Sequence, residues 1–384
     1  MRWTWLRASL AACVAAAGVV GIGVAHRPDA AAAQAAPAAA GRSAVYGGGP
    51  FYDGGQAVMD DLRSSGFTTV ILWSIHVHEN GDLFYNDTLI VSNGQYVGDA
   101  GWSSRLKTLK QAPTSVNRIE VSIGAWGVAD WQNIDTLMAQ QGTGTGSILY
   151  RNFLALRNVT GADAVNDDDE SHYDVNSTVT FGKLANTIGY AHFTFAPYTF
   201  ESFWQGVKNG LGSLVDRVYL QDYAGGTGND PGHWSQVLGM PVDPGLWSKN
   251  GSGCSSGDSP AQVEAQMRAW HTSAGIPGGF MWLYDDIRAC SAQGTAADYA
   301  RAINNATGDG STTPPTTTTT APPTTTVPPT TPTSGTYAAW QAGHAYVVGD
   351  RVSYQGSNYQ CRQSHTSLTG WEPPNVPALW SPLS

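Results

Sequence analysis

Short apolar runs alternate with helical segments between residues 42 and 308, and this alternation restricts the fold more than any other feature. The run Thr68–His76 (TTVILWSIH) is apolar and β-branched almost throughout, as expected of a strand that is covered on both faces. Further candidate strands are Ala44–Gly47, Arg118–Gly124, Ala162–Asn166, His192–Pro197, Arg217–Tyr223, Gly239–Val242 and Gly279–Tyr284. Repetition of strand and helix predicts a parallel sheet. We therefore expect an α/β fold of the (β/α)8 TIM-barrel type, with an open doubly wound sheet as the alternative.

The segments between these runs show helical spacing of apolar residues. The predicted helices include Gln56–Ser65, Trp102–Gln111, Ser147–Val159, Lys183–Thr187, Phe200–Leu211 and Pro260–Ala274. The chain has 384 residues, which is more than one barrel requires, so the two ends must have other roles.

The N-terminal end has the pattern of a secretory signal peptide. Arg2 and Arg7 precede the apolar run Ala8–Val24, and an Ala-x-Ala site precedes Gln34. We expect residues 1–33 to be this signal, residues 34–41 to be a disordered Ala-rich segment, and the protein to be secreted to the extracellular space. No later segment approaches the length of apolar residues that a membrane span requires.

The C-terminal end divides into a spacer and a small module. Residues 309–335 are mostly Thr and Pro, so they cannot bury apolar surface and should form an extended linker. Residues 336–384 are rich in Tyr and Trp, and Val347–Tyr354 and Ser357–Arg362 are predicted as short strands around turns. The module should therefore be a small all-β domain with an aromatic character.

Charge and cysteine usage limit the partners and the compartment. The formal net charge of −10 argues against nucleic acid and anionic membranes as partners. Cys13 is removed with the signal, and Cys254 and Cys290 are expected to form a disulfide in an oxidising compartment. Cys361 has no second cysteine in its module and is expected to be buried. The cysteine spacing fits no metal site, and we expect no metal, no cofactor and a monomer.

A block of acids follows the predicted strand Ala162–Asn166. Residues 163–170 read DAVNDDDE, so that four carboxylates and one amide lie between Asn166 and Glu170 in a chain that is 13% charged. The C-terminal ends of barrel strands are where catalytic groups lie in this fold. An acidic surface loop and a calcium-binding loop are the alternatives.

The module resembles the chitin-type carbohydrate-binding modules of families 5 and 12. The resemblance runs from Ala339-Trp340 through residues 349–352 (GDRV) and 359–361 (YQC) to residues 365–380 (HTSLTGWEPPNVPALW). It implies binding of chitin or a related polysaccharide, because flat aromatic rings stack on sugar faces. Tyr359, Trp371 and Trp380 are the predicted sugar contacts, whereas Trp340 and Tyr354 are assigned to the core.

The acid block resembles the strand-four motif of family 18 glycoside hydrolases, the chitinases and their relatives, which is Asp-Gly-x-Asp-x-Asp-x-Glu. Residues 122–126 (SIGAW) resemble the family's third-strand element, residues 221–223 (QDY) its sixth-strand element, and residues 279–282 (GFMW) the strand that ends in a subsite Trp. The resemblance implies a retaining hydrolase in which the substrate's own acetamido group acts as the nucleophile.

The resemblance also implies roles for individual residues. Glu170 would be the general acid and base, and Asp168 would hold the acetamido N–H. Tyr223 would bond the acetamido oxygen, and Asn166 would occupy a relay position. The predicted substrate contacts are Gln221 and Trp282, together with Trp73 and Trp126, which could equally be barrel core.

Several residues depart from the family motif. Ala164 replaces Gly, Asn166 replaces Asp, and Asp167 and Asp169 occupy positions that are normally apolar. Acids at alternate strand positions would face the helix layer, where an unpaired charge is unfavourable. Either the strand ends near Asn166, or these two acids are paired or bind a cation. The substrate could also be another amino-sugar polymer, such as one that contains galactosamine.

Two histidines and two further acids are also candidates for a functional role. His76 and His78 could belong to a metal-dependent hydrolase, although a position at the barrel mouth suits His76 better. Asp285 and Asp286 could line the cleft, but helix capping is the simpler interpretation. The main prediction is a secreted glycoside hydrolase that cleaves a β-linked, N-acetylated amino-sugar polymer, and the alternative is an inactive, lectin-like barrel that only binds polysaccharide.

Overall fold

The computed structural model describes residues 42–308 and, near the C-terminus, residues 337–341, 344–346, 349–362, 365–367, 372–374 and 379–383. These residues belong to two compact units, a large one that ends before the Thr/Pro segment and a small one that follows it. The predicted signal peptide, the Ala-rich segment, the linker and Trp371 lie outside the described residues.

Residues 42–308, the described part of the large unit, form eleven strands and eleven α-helices. The strands are β1 (Arg42–Gly47), β2 (Thr69–Val77), β3 (Leu83–Tyr85), β4 (Thr88–Ser92), β5 (Gln95–Tyr96), β6 (Arg118–Ile123), β7 (Ala164–Asp167), β8 (His192–Phe195), β9 (Val215–Gln221), β10 (Asp243–Trp247) and β11 (Gly278–Trp282). The helices are α1 (Gly49–Asp53), α2 (Gly55–Ser65), α3 (Ala100–Thr108), α4 (Asp130–Gln141), α5 (Ile148–Thr160), α6 (Val175–Ile188), α7 (Glu201–Leu211), α8 (Pro231–Leu238), α9 (Pro260–Ala274), α10 (Tyr284–Ala289) and α11 (Ala296–Thr307).

Eight of these strands form a closed parallel barrel in the order β1, β2, β6, β7, β8, β9, β10, β11. The barrel closes because β1 pairs with β2 on one side and with β11 on the other, so that Val45 lies beside both Val70 and Met281. Strands β3, β4 and β5 add an antiparallel extension to the end of β2. The closed sheet confirms the TIM-type barrel and excludes the open doubly wound alternative.

The main hydrophobic core lies between the barrel and the surrounding helices, and a smaller aromatic cluster fills the barrel itself. Tyr46, Tyr219 and Phe280 form the centre of this inner cluster. Below it, buried Glu120 accepts hydrogen bonds from Arg118, at 2.6 Å, and from Tyr219, at 2.8 Å. The barrel is therefore solid at its lower end, and a site for substrate can open only at the carboxyl ends of its strands.

The seventh barrel strand is Asp243–Trp247, and not the predicted Gly239–Val242. Gly239 instead ends helix α8 in the left-handed conformation, with φ 64°. The true strand contains Pro244 and Gly245, which sequence propensity disfavours in strands. Gly245 is required because a Cβ atom there would lie 2.1 Å from Cζ of Phe280 in the adjacent strand.

The described residues of the small unit form two sheets. Their strands are β12 (Ala338–Ala339), β13 (Ala345–Tyr346), β14 (Arg351–Tyr354), β15 (Ser357–Cys361), β16 (His365–Thr366) and β17 (Trp380–Leu383), paired in the order β12-β14-β15-β17 and as β13-β16. This small all-β fold confirms the predicted class of the module.

Trp380 is part of the core of the small unit. It is 1% exposed and packs edge-to-face against Tyr346, with ring centroids 4.9 Å apart. A buried ring cannot stack on a sugar, so the prediction that Trp380 contacts polysaccharide is wrong. Tyr359 is half-buried at the edge of this core, and Trp340 and Tyr354 are also half-buried, in edge-to-face contact with each other at 5.7 Å.

Candidate active site

The acid block lies at the end of β7, which pairs with β6 on one side and β8 on the other. Alternate residues face the barrel interior, so Asn166 and Asp168 point inward while Asp167 and Asp169 point toward the helices. Asp163 lies before the strand, where its carboxylate pairs with Lys110 at 2.9 Å. The block therefore separates into an inward set and an outward set with different surroundings.

Asn166 lies deep inside the barrel and does not line the cleft. Its Oδ1 accepts hydrogen bonds from the hydroxyls of Tyr46, at 3.0 Å, and Ser122, at 2.8 Å. Its Nδ2 donates to Thr194 Oγ1 at 3.0 Å. Thr194 in turn donates to Glu120 at 2.5 Å. The amide of Asn166 therefore bonds to three hydroxyl groups inside the barrel, and through Thr194 it is linked to Glu120.

Asp168 is 3% exposed and is held by two donors, one from β2 and one from β9. Trp73 Nε1 donates to one carboxylate oxygen at 3.1 Å, and Gln221 Nε2 donates to the other at 3.2 Å. Burial, reinforced by the charge of Glu170, raises the pKa of Asp168 well above its usual range. The close approach of its backbone requires Gly124, which has φ 104° and whose Cβ would lie 2.4 Å from the Asp168 carbonyl oxygen.

Glu170 is the more accessible carboxyl group of the pair. It is half-buried, and burial raises its pKa. The side chains of Gln221 and Tyr198 act in the opposite direction by stabilising the charged form, whereas the charge of Asp169 adds to the increase. A carboxyl group with a raised pKa beside a second acid is suited to general acid catalysis near neutral pH.

A cleft of about 400 Å³ opens above these two acids. Its walls are Trp126, Asp168, Glu170, Tyr198, Gln221, Tyr223, Ala224, Gly225, Trp247 and Trp282. Trp126 stands at its edge and is 81% exposed. Trp282 stacks on Tyr223, with ring centroids 5.7 Å apart and planes at 21°, and it meets the edge of Trp73 at 4.8 Å. Two acids in a cleft with aromatic walls form a site shaped for a sugar ring.

Most of the site residues that the sequence predicted meet in this cleft. Glu170, Asp168, Tyr223, Gln221, Trp126 and Trp282 line it. Trp73 lies behind Asp168 and donates to it, and Asn166 lies one layer below. Tyr359 belongs to the small unit.

Two aromatic residues of the cleft, Tyr198 and Trp247, were not predicted, and neither were Ala224 and Gly225. Tyr198 follows β8 and faces Glu170, and Trp247 is the last residue of β10. Each stands just after, or at, the carboxyl end of a barrel strand, so the strand-end rule would have identified Tyr198. Trp247 was missed because the seventh strand was placed four residues too early.

Backbone N–H groups bind both outward acids, Asp167 and Asp169. Asp169 is 2% exposed and accepts hydrogen bonds from the backbone N–H groups of Ser171 (2.9 Å), His172 (2.8 Å) and Tyr173 (2.6 Å). Asp167 accepts the N–H of Asp169 at 2.9 Å, and burial followed by the charge of Asp169 raises the pKa of Asp167. The strand ends at Asp167, so the first of the predicted alternatives is closest to the structure.

Asp285 and Asp286 do not cap helix α10 with their side chains. Asp285 accepts the backbone N–H of Gly48 at 2.8 Å, and Asp286 accepts Trp247 Nε1 at 2.8 Å. The prediction of capping is therefore corrected, because both acids fix neighbouring strand ends, including a wall of the cleft. Close by, Cys254 and Cys290 form the predicted disulfide, with Cα atoms 5.6 Å apart.

Comparison with known proteins identifies the small unit. The model of carbohydrate-binding module family 5/12 matches residues 339–381. Chitinase D of Niallia circulans is 59% identical over 49 residues, which are 13% of this chain and 9% of that protein. Streptogrisin-C of Streptomyces griseus is 51% identical over 41 residues, which are 11% of this chain and 9% of that protein. The C-terminal unit is a module of family 5/12, and the chain spans about a tenth of the length of these relatives.

Solved structures resemble the barrel. A fungal endo-beta-N-acetylglucosaminidase from glycosyl hydrolase family 18 covers 68% of this chain and 98% of its own, with a TM-score of 0.52 and 15% identity. A family GH18 chitinase from the fern Peteris ryukyuensis covers 67% and 97%, with a TM-score of 0.48 and 17% identity. The large unit therefore shares the barrel fold of the first of these structures.

Proposed function

We propose that this protein is a secreted glycoside hydrolase that cleaves β-linked, N-acetylated amino-sugar polymers such as chitin. The observation that carries the proposal is the pairing of buried Asp168 with accessible Glu170 inside a cleft with aromatic walls. The fold, which is that of a family 18 enzyme, and the attached module support the same substrate class.

Glu170 acts first as the general acid. It protonates the glycosidic oxygen as the bond from the anomeric carbon to that oxygen breaks, and the leaving chain departs with the proton. The acetamido oxygen of the substrate attacks the anomeric carbon and forms a cyclic oxazolinium ion, so no carboxylate of the protein becomes attached to the sugar.

Asp168 stabilises this cation. The N–H groups of Trp73 and Gln221 point at its two oxygens and favour the ionised form, against the burial that raises the pKa of Asp168. In the acid step the proton of the pair is on Glu170, which is the group that faces the cleft. Asp168 then accepts the acetamido N–H, and Tyr223 donates to the acetamido oxygen. Trp282 supports the sugar from below.

In the second step Glu170 is ionised and removes a proton from water. The water oxygen attacks the anomeric carbon, the oxazolinium ring opens, and the acetamido group is regenerated with overall retention of configuration. Asn166 takes no direct part in either step, because its hydrogen bonds go to Tyr46, Ser122 and Thr194. Its role is to fix the strand that carries the acids.

Outside the barrel, residues 1–33 act as the export signal and residues 309–335 as a spacer, and the protein works as a monomer. The module, residues 336–384, holds the enzyme on insoluble polysaccharide, and Tyr359 and Trp371 provide its sugar contacts. The names of the relatives that share this module, several of them chitinases, support chitin as the polymer.

The test compares the mature protein with Glu170→Gln on chitin, chitosan and a galactosamine-containing polymer. Released reducing ends and bound protein are measured together. We expect release from chitin by the wild type and a loss of about 10²-fold or more in Glu170→Gln, with binding intact. Glu264→Gln is the matched control, since this glutamate is on the exposed side of α9 and pairs with Arg268.

A lectin-like barrel is the second candidate, and the observation that favours it is the neutral Asn166 in place of the motif's second acid. Binding without release on all three polymers, by both proteins alike, would establish the lectin and refute the hydrolase. Release from the galactosamine-containing polymer alone would redefine the substrate and keep the mechanism.

A further inference from the structure

A second and larger cavity, of about 790 Å³, opens at the same end of the barrel as the cleft. Its walls come from three segments: residues 76–80 at the end of β2, residues 84–87 of the β3–β4 hairpin, and residues 128–133 at the start of α4. Val128 is two residues from Trp126, which stands at the edge of the cleft. A polymer that leaves the cleft on this side would therefore reach the cavity.

The cavity contains a histidine that is held in a fixed orientation. His76 Nδ1 lies 2.9 Å from Asp130 Oδ2, and the other oxygen of Asp130 accepts the backbone N–H of Val77 at 2.8 Å. Asp130 is 3% exposed, so this pair is part of the wall and keeps the imidazole in place.

Ser74 lies near this pair without forming a nucleophilic triad. Its Oγ is 3.1 Å from His76 Nε2 and 3.5 Å from Nδ1. A hydroxyl in line with one ring nitrogen would be much farther from the other, so Ser74 does not lie along the lone pair of either nitrogen. Ser74 is also completely buried. Ser74 therefore cannot serve as a nucleophile activated by His76.

The surface of the cavity combines an aromatic platform with negative charge. His78 is exposed and stacks on Phe84, with ring centroids 3.9 Å apart and planes at 15°. Glu79 and Asp87 are exposed carboxylates that form no ion pair within the described residues. No lysine or arginine is among the described residues that line the cavity.

We propose that this cavity is a further saccharide subsite that binds an amino sugar with a free 2-ammonium group. The inference rests on the proposed function and extends it to partially deacetylated polymer. The flat face of the sugar would lie on the His78–Phe84 stack, and the ammonium would face Glu79 and Asp87. An acetamido group carries no charge and gains nothing from these carboxylates, so the subsite distinguishes deacetylated from acetylated units.

The experiment uses the full-length Glu170→Gln protein, so that binding is measured without hydrolysis. Glu79→Gln and Asp87→Asn are added together, and a matched control carries Asp60→Asn and Glu264→Gln, which remove the same net charge from α2 and α9. Binding of a fully deacetylated and a fully acetylated glucosamine hexamer is measured by calorimetry. We expect the cavity variant to bind the deacetylated hexamer about fivefold more weakly and the acetylated one with less than about a twofold change.

The control variant should bind both hexamers as the parent protein does. The preference for the deacetylated hexamer should also decrease between low and physiological salt, because exposed charge pairs are screened. Equal effects on both hexamers, no effect of the cavity substitutions, or no binding of the deacetylated hexamer by the parent would overturn the inference. The wild type could release no sugar from any polymer while the cavity variant still binds the deacetylated hexamer more weakly. That result would support the subsite and refute the proposed hydrolase.

Discussion

The chemistry of the site depends on how one residue, Glu170, is surrounded. Burial raises its pKa, and the nearby charge of Asp169 raises the pKa further, whereas Gln221 and Tyr198 favour the charged form. Asp168, Tyr198 and Tyr223 line the cleft with it, and Tyr173 interacts electrostatically with both Tyr198 and Glu170. Three backbone N–H groups bind the carboxylate of Asp169 and hold it in place beside Glu170.

Removal of the negative charge of Asp169 should change the pH dependence of hydrolysis. In Asp169→Asn the repulsion disappears, so the pKa of Glu170 decreases and the acid loses its proton at a lower pH. We expect the alkaline limb of the kcat/KM profile to move to lower pH, with a change at the optimum of no more than about threefold. An unmoved limb would contradict the role assigned to the charge.

Asp169→Ala separates the charge from the geometry. Asparagine has one acceptor oxygen, so Asp169→Asn can keep the bonds from Ser171 and His172 and loses that from Tyr173, whereas Asp169→Ala loses all three. Each buried N–H left without a partner costs about 1–3 kcal/mol. We expect a lower melting temperature and a large loss of kcat in addition to the shifted limb. Equal behaviour of the Ala and Asn variants would show that the hydrogen bonds do not position Glu170.

Sequence alone could identify the inward acids, because alternate strand positions share one face. It could not assign Asp167 and Asp169, because the N–H groups that bind Asp169, and the one that binds Asp167, belong to backbone that follows each acid in the chain. Oδ2 of Asp167 is buried and has no hydrogen-bond partner among the described residues. Sequence also could not decide whether Trp380 contacts sugar or fills the core of the small unit, because the residues around a tryptophan do not distinguish these two roles. Burial decides between these two roles, and burial is a property of the folded chain.

At the scale of elements, the strand β10 shows where sequence reasoning fails. Its Pro244 and Gly245 are poor strand formers, yet the strand forms because its neighbours β9 and β11 provide both hydrogen-bonded edges. The barrel as a whole was predictable from strand–helix alternation. The hairpin of β3, β4 and β5 was not, because these strands are short and their pairing partner is the end of β2.

Gly245 gives an element-scale prediction. Gly245→Ala places a methyl group against the buried ring of Phe280, and overpacking of a core commonly costs about 1–3 kcal/mol. For a domain of this size each 1 kcal/mol lowers Tm by about 2–4 °C. Thermal unfolding of the purified protein measures the effect.

Gly144→Ala is the matched control, because a Cβ atom at Gly144 meets nothing within 4 Å and its φ is not in the left-handed region. It should leave Tm within about 1 °C of the wild type. A Gly245→Ala protein with an unchanged Tm would show that Phe280 can move aside, and that the glycine is not required by packing.

At the scale of the whole molecule, the two units have separate cores. We therefore expect the barrel to carry hydrolysis and the small unit to carry binding to insoluble polymer, each without the other. A chain that ends at Gly308 should keep its activity on soluble amino-sugar oligomers within about twofold, because the cleft lies wholly within residues 42–308. It should lose most binding to insoluble chitin, and with it most activity on that solid.

Binding to chitin beads and kcat on a soluble substrate are the two measurements. A truncated chain that still binds the beads at wild-type level would assign polymer binding to the barrel cleft. One that loses activity on soluble oligomers in parallel with bead binding would contradict the independence of the two units.

The buried ionic cluster around Glu120, at the lower end of the barrel, limits which substitutions homologues of this protein can accept. Glu120 is completely buried and receives hydrogen bonds from Arg118, Thr194 and Tyr219, three residues on three strands. Replacement of Glu120 alone would leave the guanidinium of Arg118 with only Asp216 as a counter-ion, and would leave two hydroxyl groups without their acceptor. Among homologues of this barrel, positions 118, 120, 194 and 219 should therefore be replaced together within a lineage, as one inherited unit.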